Sequence, residues 1–561
     1  MDIHRRKADR AYLDTNLSIP KQVVNVEGVK SALTFTYFEG ADREERKLPL
    51  YKETLHHIEV PRAFWAPGSF GFKIVDLRPT SYRKTKVSSK IQLDHTQRGG
   101  KLVPTGETKQ REASSALLAS HGGTLQLGCG GGKTVIALHV IAQLNVPAII
   151  IVDTTQLILQ WQEAISNFLD VPGGVGLIQA DVFNWKKSIV MATYHTLAAR
   201  SATFPEEVKR WFGVAIWDEA HHVSAPTFSK SADLFYGRRY GLSATPKRDD
   251  GLHVIHEFHF GDVLYRDLIQ ELKPHIYFNW TGLKLDNSDP YVVNATHSSG
   301  GKLHLSKLAT YYGEWAPRLQ IILAEIRRRV VEGRKILVLS NSVNELVNLL
   351  ALWNQEKSLY TDVPVPTPQE VGETLPPIRL STKELLRIGK KLAAVKLKKP
   401  TSETLLLTQK YETALAQHEV ARKVDSLFNQ RQTDYRNKLL ARPSTAGLMI
   451  HKVPSTQRMK MLREKQVTFA ISKYGKEGLD ESALDTILLC EPMSSRSMLQ
   501  QVMGRIQRRK EGKKDPVMIV FEDNIGPMMG MCNKMRRHLR SWPIGDGGPY
   551  AFELVNYPRS K

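Results

Sequence analysis

The segment LQLGCGGGKTVIAL places a glycine-rich turn between an apolar run and a helical pattern. Its three consecutive glycines are Gly130, Gly131 and Gly132. Without Cβ atoms, the backbone there can wrap closely around phosphate oxygens with its N–H groups pointing inward. Lys133 is placed to reach the β- and γ-phosphates of a nucleotide, Thr134 is placed to bind Mg²⁺, and the start of the following helix adds a positive dipole end. The segment therefore predicts a phosphate-binding loop, with Leu127 where the strict pattern has glycine.

A pair of carboxylates, Asp218-Glu219, ends the apolar run of GVAIWDEAHH, 85 residues after Lys133 (from 133 to 218). A buried strand delivers such residues to the C-terminal edge of a parallel sheet, where these folds bind ligands. We expect Asp218 to hold Mg²⁺, directly or through water, and Glu219 to orient or deprotonate an attacking water. His221 is interpreted as a relay contact in the nucleotide site, because no second nitrogen or sulfur ligand has the spacing of a metal site.

Short apolar runs alternate with helical patterns around these motifs and again after about residue 315. The runs have the continuous apolar character of strands buried on both faces of a parallel sheet. They are TLQLG, PAIIIVD, SIVMATY and GVAIWDEA in the first part, and KILVLSNS, VTFAISK, TILLCEP and PVMIVFED in the second. Intervening stretches such as LILQWQEAISNFL and EWAPRLQIILAEIRRRVVEG have helical spacing. We therefore predict an α/β protein with two doubly wound parallel-sheet domains.

Composition predicts how the chain is divided. SALTFTYF and GFKIVDL in the N-terminal part are rich in β-branched and aromatic residues, which favour strands. The predicted parts are an N-terminal accessory α+β domain (1–105), a first nucleotide-binding domain (106–270), a linker (271–314), a second domain (315–545) and a C-terminal tail (546–561). DNA binding by the N-terminal domain is a hypothesis.

The second domain contains a stretch of different composition, residues 355–440. It opens with the Pro-rich TDVPVPTPQEVGETLPP and continues into two helical patterns separated by Pro400. We predict an inserted, net basic helical hairpin. Two interpretations stay open: the hairpin contacts a polyanion, or it is a solvated charged coiled coil without a partner.

The overall charge bears on the partner. Lys and Arg number 79 against 57 acidic residues, a formal charge of +22. This excess favours a polyanion, because neutralising phosphates releases counterions, although a basic surface that only aids solubility is the alternative. Cys129, Cys490 and Cys532 are far apart with no CxxC pair, which indicates a reducing compartment and no zinc site. Without a run of eighteen apolar residues or a secretory leader, we expect no membrane span and an intracellular protein of the cytoplasm or nucleoid.

Four segments together resemble motifs I, II, III and VI of superfamily 2 helicases: LGCGGGKT, IWDEAHH, GLSATPKRDDG and QQVMGRIQRR. The resemblance is greatest to the branch that contains XPB and the phage helicase UvsW, with similar proteins in phages and large DNA viruses. It covers residues 106–540 apart from the insertion. It implies two RecA-like domains, ATP as the nucleotide and Mg²⁺ as its metal; a virus-encoded chain would act in the host cell.

The resemblance also implies roles for residues between these motifs. Gln110, in KQREASSALL, matches the glutamine that recognises adenine, although Lys109 stands where the family has an aromatic residue. Asp480 would lie near the ribose. Residues implied in contacts with nucleic-acid phosphates are Thr154, Thr193, Ser472 and Lys473. Residues implied in coupling hydrolysis to movement are Ser243, Ala244 and Thr245.

QxxGRxxR places Gln501, Arg505 and Arg508 at spacings of three or four, which keep them on one helix face. The resemblance implies that this face meets ATP bound to the first domain. Arginine suits the role because it is permanently charged and binds phosphate bidentately. The alternative is a basic helix on the surface.

Three functions follow from these motifs. The first is an ATP-driven DNA helicase or translocase that acts on duplex, forked or branched DNA in repair, recombination or replication. The second is an RNA helicase or transcript-release factor with the same motor. The third is a non-catalytic DNA-binding scaffold, which the intact Lys133, Asp218, Glu219, Arg505 and Arg508 disfavour.

Overall fold

The structure is a computed structural model of the 561-residue chain. It describes residues 7, 9–39, 44–64, 74–98, 101–128, 130–244, 252, 254–269, 272–285, 313–355, 364–378, 384, 387–390, 402–441, 444–450, 453–476, 481–508, 510–543 and 547–556.

The N-terminal part contains a five-stranded sheet with the order β5-β6-β2-β1-β7 and a separate hairpin of β3 and β4. Its elements are β1 (Ala11–Leu13), β2 (Asn16–Pro20), α1 (Val26–Ala32), β3 (Thr34–Glu39), β4 (Glu44–Pro49), β5 (Lys52–Glu53), β6 (His57–Pro61) and β7 (Ile74–Asp76). Three short strands lead to the next domain: β8 (Ser88–Ser89), β9 (His95–Arg98) and β10 (Lys101–Pro104). SALTFTYF, predicted as a strand, overlaps β3, and the described part of GFKIVDL contains β7.

The first α/β domain, called here the first lobe, is built on an eight-stranded sheet with the order β15-β14-β16-β12-β17-β18-β11-β19. Only β14 and β15 pair antiparallel among these neighbours. The elements are α2 (Lys109–Ala119), β11 (Gly122–Leu127), α3 (Lys133–Leu144), β12 (Ala148–Val152), α4 (Thr155–Phe168), β13 (Leu169–Asp170), β14 (Gly176–Gln179), β15 (Val182–Phe183), β16 (Ile189–Thr193), α5 (Tyr194–Arg200), α6 (Glu206–Trp211), β17 (Val214–Trp217), α7 (Pro226–Ala232), β18 (Arg238–Ser243), α8 (Val254–Phe260) and β19 (Val263–Asp267).

The second lobe has a seven-stranded parallel sheet with the order β22-β23-β21-β24-β25-β20-β26. Its elements are β20 (His275–Trp280), α9 (Ala316–Val331), β21 (Ile336–Ser340), α10 (Val343–Trp353), α11 (Ser402–Ala441), β22 (Ala446–Met449), α12 (Ser455–Glu464), β23 (Val467–Ile471), α13 (Ser472–Lys476), β24 (Thr486–Leu489), α14 (Arg496–Ile506), β25 (Val517–Glu522), α15 (Gly526–Arg540) and β26 (Glu553–Asn556).

Two of these strands extend the second lobe beyond the limits predicted from composition. β20 falls in the predicted linker and β26 in the predicted tail, yet β20 pairs with both β25 and β26. Backbone pairing with a buried strand outweighs the composition of the surrounding segments. Of the predicted helical hairpin, the structure describes the long helix α11, whereas most of the first helix, up to Pro400, lies outside the described residues.

Each sheet has an apolar core on both faces. Every residue of β12, β16, β21 and β23 is buried, as the continuous apolar runs predict. Burying one such Val, Ile or Leu side chain is worth about 1.5–3 kcal/mol, so these strands fix the two sheets. The predicted α/β fold with two parallel-sheet domains is confirmed. Among the described helices, none combines the length and apolar character needed to cross a bilayer.

Candidate nucleotide site between the two lobes

The glycine-rich loop connects β11 to α3 in the first lobe. Gly130 and Gly132 have φ angles of 84° and 85°, a left-handed conformation that glycine adopts without steric cost. Lys133 is the first residue of α3, and its Nζ donates to the carbonyl oxygen of Leu127 at 3.0 Å. The Leu127 side chain is buried in the core, so leucine at this position does not obstruct the loop. The chain therefore has the bent backbone, the helix start and the lysine of a phosphate cradle.

Gly131 and Thr134 complete this loop. Gly131 is close-packed, because an added Cβ would lie 3.1 Å from the carbonyl oxygen of Gly128. Thr134 is the second residue of α3 and is half-buried. The structure thus brings all five residues predicted from the GGGKT run to one turn.

Gln110 lies directly beside the loop. A Cβ built on Gly132 would be 2.5 Å from the Nε2 atom of Gln110. Asp94, which has 3% exposure, holds Gln110 in place: the Asp94 backbone N–H donates to Oε1, and the Gln110 backbone N–H donates to Oδ1, both at 2.8 Å. Lys109 forms an ion pair of 2.8 Å with Asp267. Gln110 is therefore oriented by a residue that sequence reasoning did not single out.

The acidic pair follows β17 at the C-terminal edge of the sheet. Asp218 is buried and receives two hydrogen bonds, from the indole Nε1 of Trp161 to Oδ2 at 2.8 Å and from the backbone N–H of Glu219 to Oδ1 at 3.0 Å. Glu219 has a φ of 48°, so the chain turns sharply there. His221 is buried, with Nδ1 3.4 Å from Oε2 of Glu219.

The charges of this pair are unequal. Burial and the negative charge of Glu219 raise the pKa of Asp218, and the indole bond and Lys133 only partly oppose them. Burial would also raise the pKa of Glu219, but the contact with His221 and the charge of Lys133 outweigh it and lower that pKa. The positive charge near Asp218 therefore does not compensate for its burial. A divalent cation bound there would supply further positive charge, so the two carboxylates fit the hard oxygen ligands that Mg²⁺ prefers.

Arg508 of the second lobe reaches the loop across the gap between the sheets. Arg508, two residues beyond the end of α14, is half-buried, and its Cγ would be 3.2 Å from a Cβ built on Gly130. Arg505, in the last turn of α14, donates through Nε to the carbonyl oxygen of Gly475 at 3.4 Å. Gln501 is buried on the same helix. The structure therefore brings the glycine-rich loop that precedes Lys133 and an arginine of the other lobe to one cleft.

A second contact joins the lobes at the Ser-Ala-Thr segment. Ser243 and Ala244, at the end of β18, are fully buried. Nε2 of Gln500 donates to the carbonyl oxygen of Ala244 at 2.8 Å. Thr245 lies outside the described residues. The segment predicted to couple the two domains thus touches the helix that carries Arg505.

Comparison with known proteins agrees with this architecture. Residues 105–248 match the family "Type III restriction enzyme, res subunit". The DNA 3'-5' translocase XPB2 of Sulfurisphaera tokodaii is 37% identical over 165 residues, which cover 29% of this chain and 36% of that protein. A protein of Acanthamoeba polyphaga mimivirus, provisionally named an ATP-dependent RNA helicase, is 24% identical over 347 residues, which cover 60% of this chain and 64% of that one.

The chain is similar to XPB-like superfamily 2 helicases. A helicase of invertebrate iridescent virus 3, also provisionally named, is 27% identical over 225 residues, 37% of this chain and 67% of that one. The chain spans only about a third and about two thirds of the lengths of the first two relatives.

In the first lobe, the residues predicted to contact nucleic acid lie at strand ends. Thr154 and Thr193 cap α4 and α5, accepting the backbone N–H of Leu157 and of Thr196, each at 3.3 Å. They follow the neighbouring strands β12 and β16, so both helix starts open at one sheet edge. Such helix starts attract phosphate oxygens.

The corresponding residues of the second lobe begin α13. Ser472 is buried and Lys473 is exposed, directly after β23. Asp480 lies outside the described residues. Lys473 thus presents a charge at the C-terminal edge of its sheet, as Thr154 and Thr193 present helix starts in the first lobe.

Proposed function

We propose that this chain is an ATP-dependent DNA helicase or translocase, which couples ATP hydrolysis between its lobes to movement on duplex, forked or branched DNA. The single observation that carries the proposal is the approach of Arg508 to Gly130. An arginine of one lobe lies against the phosphate loop of the other, so a nucleotide bound there would be held by both. The names of relatives such as XPB2 support DNA as the substrate.

Each residue of the cleft has a role in this proposal. Lys133 and the N–H groups of the loop bind the phosphates, and Glu219 orients the attacking water and accepts its proton. Arg505 and Arg508 stabilise the negative charge that develops on the γ-phosphate, with Gln501 beside them. Gln110 recognises adenine. Loss of the γ-phosphate removes the charge that links the lobes, and the cleft opens.

Thr134 and Asp218 would hold Mg²⁺. When bound, the cation neutralises charge on the β- and γ-phosphate oxygens. His221 holds Glu219 beside this position.

Nucleic acid follows the sheet edges in this proposal. Thr154, Thr193, Ser472 and Lys473 contact the phosphates of one strand, so movement is largely independent of sequence. Ser243, Ala244 and Thr245 transmit cleft closure to these contacts. The N-terminal domain and the insertion are proposed as DNA clamps, and repair, recombination or replication as the setting. Two buried free thiols, Cys490 and Cys532, agree with a reducing intracellular compartment.

An RNA helicase with the same motor is the second candidate. The name of the mimivirus relative, which matches 60% of this chain, favours it. ATPase rates measured with forked DNA, a four-way junction, single-stranded DNA and RNA separate the two. We expect stimulation by DNA; stimulation by RNA alone would reverse the assignment.

Two variants test the composite site. Lys133→Ala should abolish nucleotide binding, and Arg508→Ala should leave binding largely intact while lowering kcat by about 10³-fold, as loss of an arginine finger does. Lys460→Ala and Arg463→Ala, on the exposed face of α12, are matched controls. ATPase activity unchanged in Lys133→Ala would show that the site has been assigned wrongly.

A further inference from the structure

Two buried aromatic side chains donate hydrogen bonds to Asp218 from different helices. Trp161 of α4 binds the carboxylate oxygen Oδ2 at 2.8 Å. Tyr194 of α5 binds the backbone carbonyl oxygen at 2.9 Å through its hydroxyl. Trp161 has 2% exposure and Tyr194 none. Neither residue is among those proposed above to bind the nucleotide.

The Trp161 bond fixes the orientation of the carboxylate. Oδ1 of Asp218 already accepts the backbone N–H of Glu219, and Oδ2 accepts the indole N–H. With one donor on each oxygen, the carboxylate plane is set, while each oxygen retains a lone pair for a cation or its water. Partners of this kind, one shell beyond the metal, commonly change metal affinity or activity by about 10- to 100-fold when removed.

The two donors lie on the helices that start at the proposed nucleic-acid contacts. Thr154 caps α4, and Trp161 lies about two turns further along the same helix. Thr193 caps α5, and Tyr194 is its first residue. The two caps follow paired parallel strands, so phosphates bound at the two helix starts would lie at the same edge of the sheet. A displacement of either helix would then change the position of its hydrogen bond to Asp218.

The packing around both rings favours transmission of such a displacement. Trp161 is part of the apolar core on one face of the first sheet, and Tyr194 is part of the core on the other face. Close-packed interiors transmit strain and have no space in which a shift of the helix could be absorbed. The simpler alternative is that these bonds only satisfy buried donors, as most buried polar groups are satisfied.

We propose that Trp161 and Tyr194 are positioning residues that relay nucleic-acid contact at the starts of α4 and α5 to Asp218. The relay rests on the proposed function, because it requires both an ATPase site at Asp218 and nucleic acid at the two helix starts. Trp161 sets the carboxylate that binds the metal. Tyr194 sets the backbone of the turn that carries Glu219.

The test uses Trp161→Phe and Tyr194→Phe in the full chain, which remove the donors and keep an aromatic ring. The matched controls are Trp211→Phe and Tyr240→Phe. Trp211 donates to the carbonyl oxygen of Lys187, and Tyr240 donates to the carbonyl oxygens of Leu117 and Ser120, all remote from Asp218 in the hydrogen-bond network. The measurements are ATPase with and without DNA, the Mg²⁺ concentration for half-maximal rate, DNA affinity and melting temperature.

We expect Trp161→Phe to raise the half-maximal Mg²⁺ concentration by about tenfold. We expect Tyr194→Phe to lower the ratio of DNA-stimulated to basal rate by about tenfold, with DNA affinity unchanged. The controls should match the wild type. A purely structural role would lower the melting temperature and change neither the half-maximal Mg²⁺ concentration nor the stimulation ratio, and that result overturns the relay.

Failure of the relay and failure of the proposed function are distinguishable. If DNA stimulates the wild type and both Phe variants behave like their controls, the relay is wrong and the motor stands. If DNA does not stimulate the ATPase of the wild type, the proposed function is wrong. The Mg²⁺ concentration for half-maximal rate then tests the positioning role of Trp161 by itself. Tyr194→Phe removes one oxygen from a buried ring, so it decides the question if Trp161→Phe does not fold.

Discussion

The negative charges of buried carboxylates are compensated by different groups in the two lobes. In the first lobe, Asp218 relies on neutral N–H donors and on a nearby lysine of the phosphate loop. In the second lobe, the fully buried guanidinium of Arg318 binds Glu345 and also Asp523, the latter at 2.8 Å. Glu491 lies beside this group, accepting from the hydroxyl of Ser340 at 3.0 Å and from a backbone N–H at 3.1 Å. One cation thus faces three carboxylates.

The surplus of negative charge makes the second lobe sensitive to pH. Burial and the charge of Glu345 raise the pKa of Glu491 to about 8, against the opposing charge of Arg318. An acid whose pKa is raised on folding stabilises the folded state fully below its unfolded pKa. It loses that contribution as the pH rises from about 4.5 to about 8.

We therefore predict that Glu491→Gln makes the second lobe less sensitive to alkaline pH. Glutamine keeps the acceptor oxygen and removes the charge. Between pH 6 and pH 8, the free energy of unfolding of the wild type should fall relative to that of the variant by on the order of 1 kcal/mol per pH unit. The free energy of unfolding is measured by urea unfolding at several pH values, with hydrogen exchange in β21 and β24 as the probe of the second lobe.

Glu464→Gln, on the exposed surface of α12, is the matched control and should parallel the wild type. Parallel curves for Glu491→Gln and the wild type would mean that no proton is held at Glu491 in this pH range.

At the scale of elements, the strands were predictable because strands buried on both faces consist of apolar residues at successive positions. AIIIV and VTFAI are apolar at every position, and β12 and β23 are buried at every position. The caps of α4 and α5 are local features that we did not predict: a threonine precedes each helix and accepts the backbone N–H of the residue three positions later. The glycine-rich loop and the acidic pair were identified from residue types within short segments, and the 85 residues from Lys133 to Asp218 related the two segments.

Long-range pairing was not predictable in the same way. Nothing near Trp161 indicates that its indole meets a carboxylate 57 residues away rather than any other acceptor. Asp94 stands in a polar segment, and only the fold brings it to Gln110. β20 follows the same rule, since its place in the second sheet depends on β25, more than two hundred residues later. These features depend on contacts between residues that are far apart in the sequence, and local sequence patterns do not specify such contacts.

The long helix α11 has a feature that its weak amphipathic pattern did not indicate. A strap, defined as residues 364–378, lies along it and contains a short 3₁₀ helix, Pro368–Val371. Arg431 donates to the carbonyl oxygen of Pro364 at 3.1 Å, and Lys423 pairs with Glu373. Val424, between these two basic residues in sequence, has 4% exposure.

We predict that Val424→Asp releases the strap from α11. A charge buried without a partner costs several kcal/mol, more than exposed ion pairs of the strap contribute. Proteolysis within residues 364–378 should become at least about tenfold faster. Basal ATPase should stay unchanged, because the cleft lies elsewhere in the fold.

Leu405→Asp is the matched control, since Leu405 is on the same helix with 71% exposure. Equal proteolysis rates for the two variants would show that Val424 is not what holds the strap.

At the scale of the whole molecule, the N-terminal domain and the first lobe share a continuous seam. Arg62 donates to the carbonyl oxygens of Tyr236 and Gly237 at 3.1 and 2.9 Å. From the other side, Arg239, with no exposure, donates to the carbonyl oxygen of Thr15 at 2.7 Å. These bonds enter the backbone of both domains, so we infer that the two move together.

Aromatic packing adds to this seam. The rings of Phe64 and Phe258 are 4.9 Å apart and nearly perpendicular, a favoured geometry for such pairs. The Ala63 backbone N–H also donates to the carbonyl oxygen of Phe258 at 2.9 Å. Between the two lobes, the contacts described above are made by the side chains of Gln500 and Arg508, which can separate without a change in either sheet. The N-terminal seam differs because it also has a backbone hydrogen bond and packed rings.

This contrast predicts where the molecule changes when it binds a nucleotide. We expect a non-hydrolysable ATP analogue with Mg²⁺ to slow hydrogen exchange in residues 130–136 and 500–508, because phosphates bound between the lobes tie the two segments together. Exchange in residues 58–64 and 254–260, along the N-terminal seam, should not change. Lys133→Ala is the control and should lose the response in both lobes. Protection confined to residues 130–136 in the wild type would mean that the nucleotide is held by the first lobe alone, and Arg508 would then have no part in binding it.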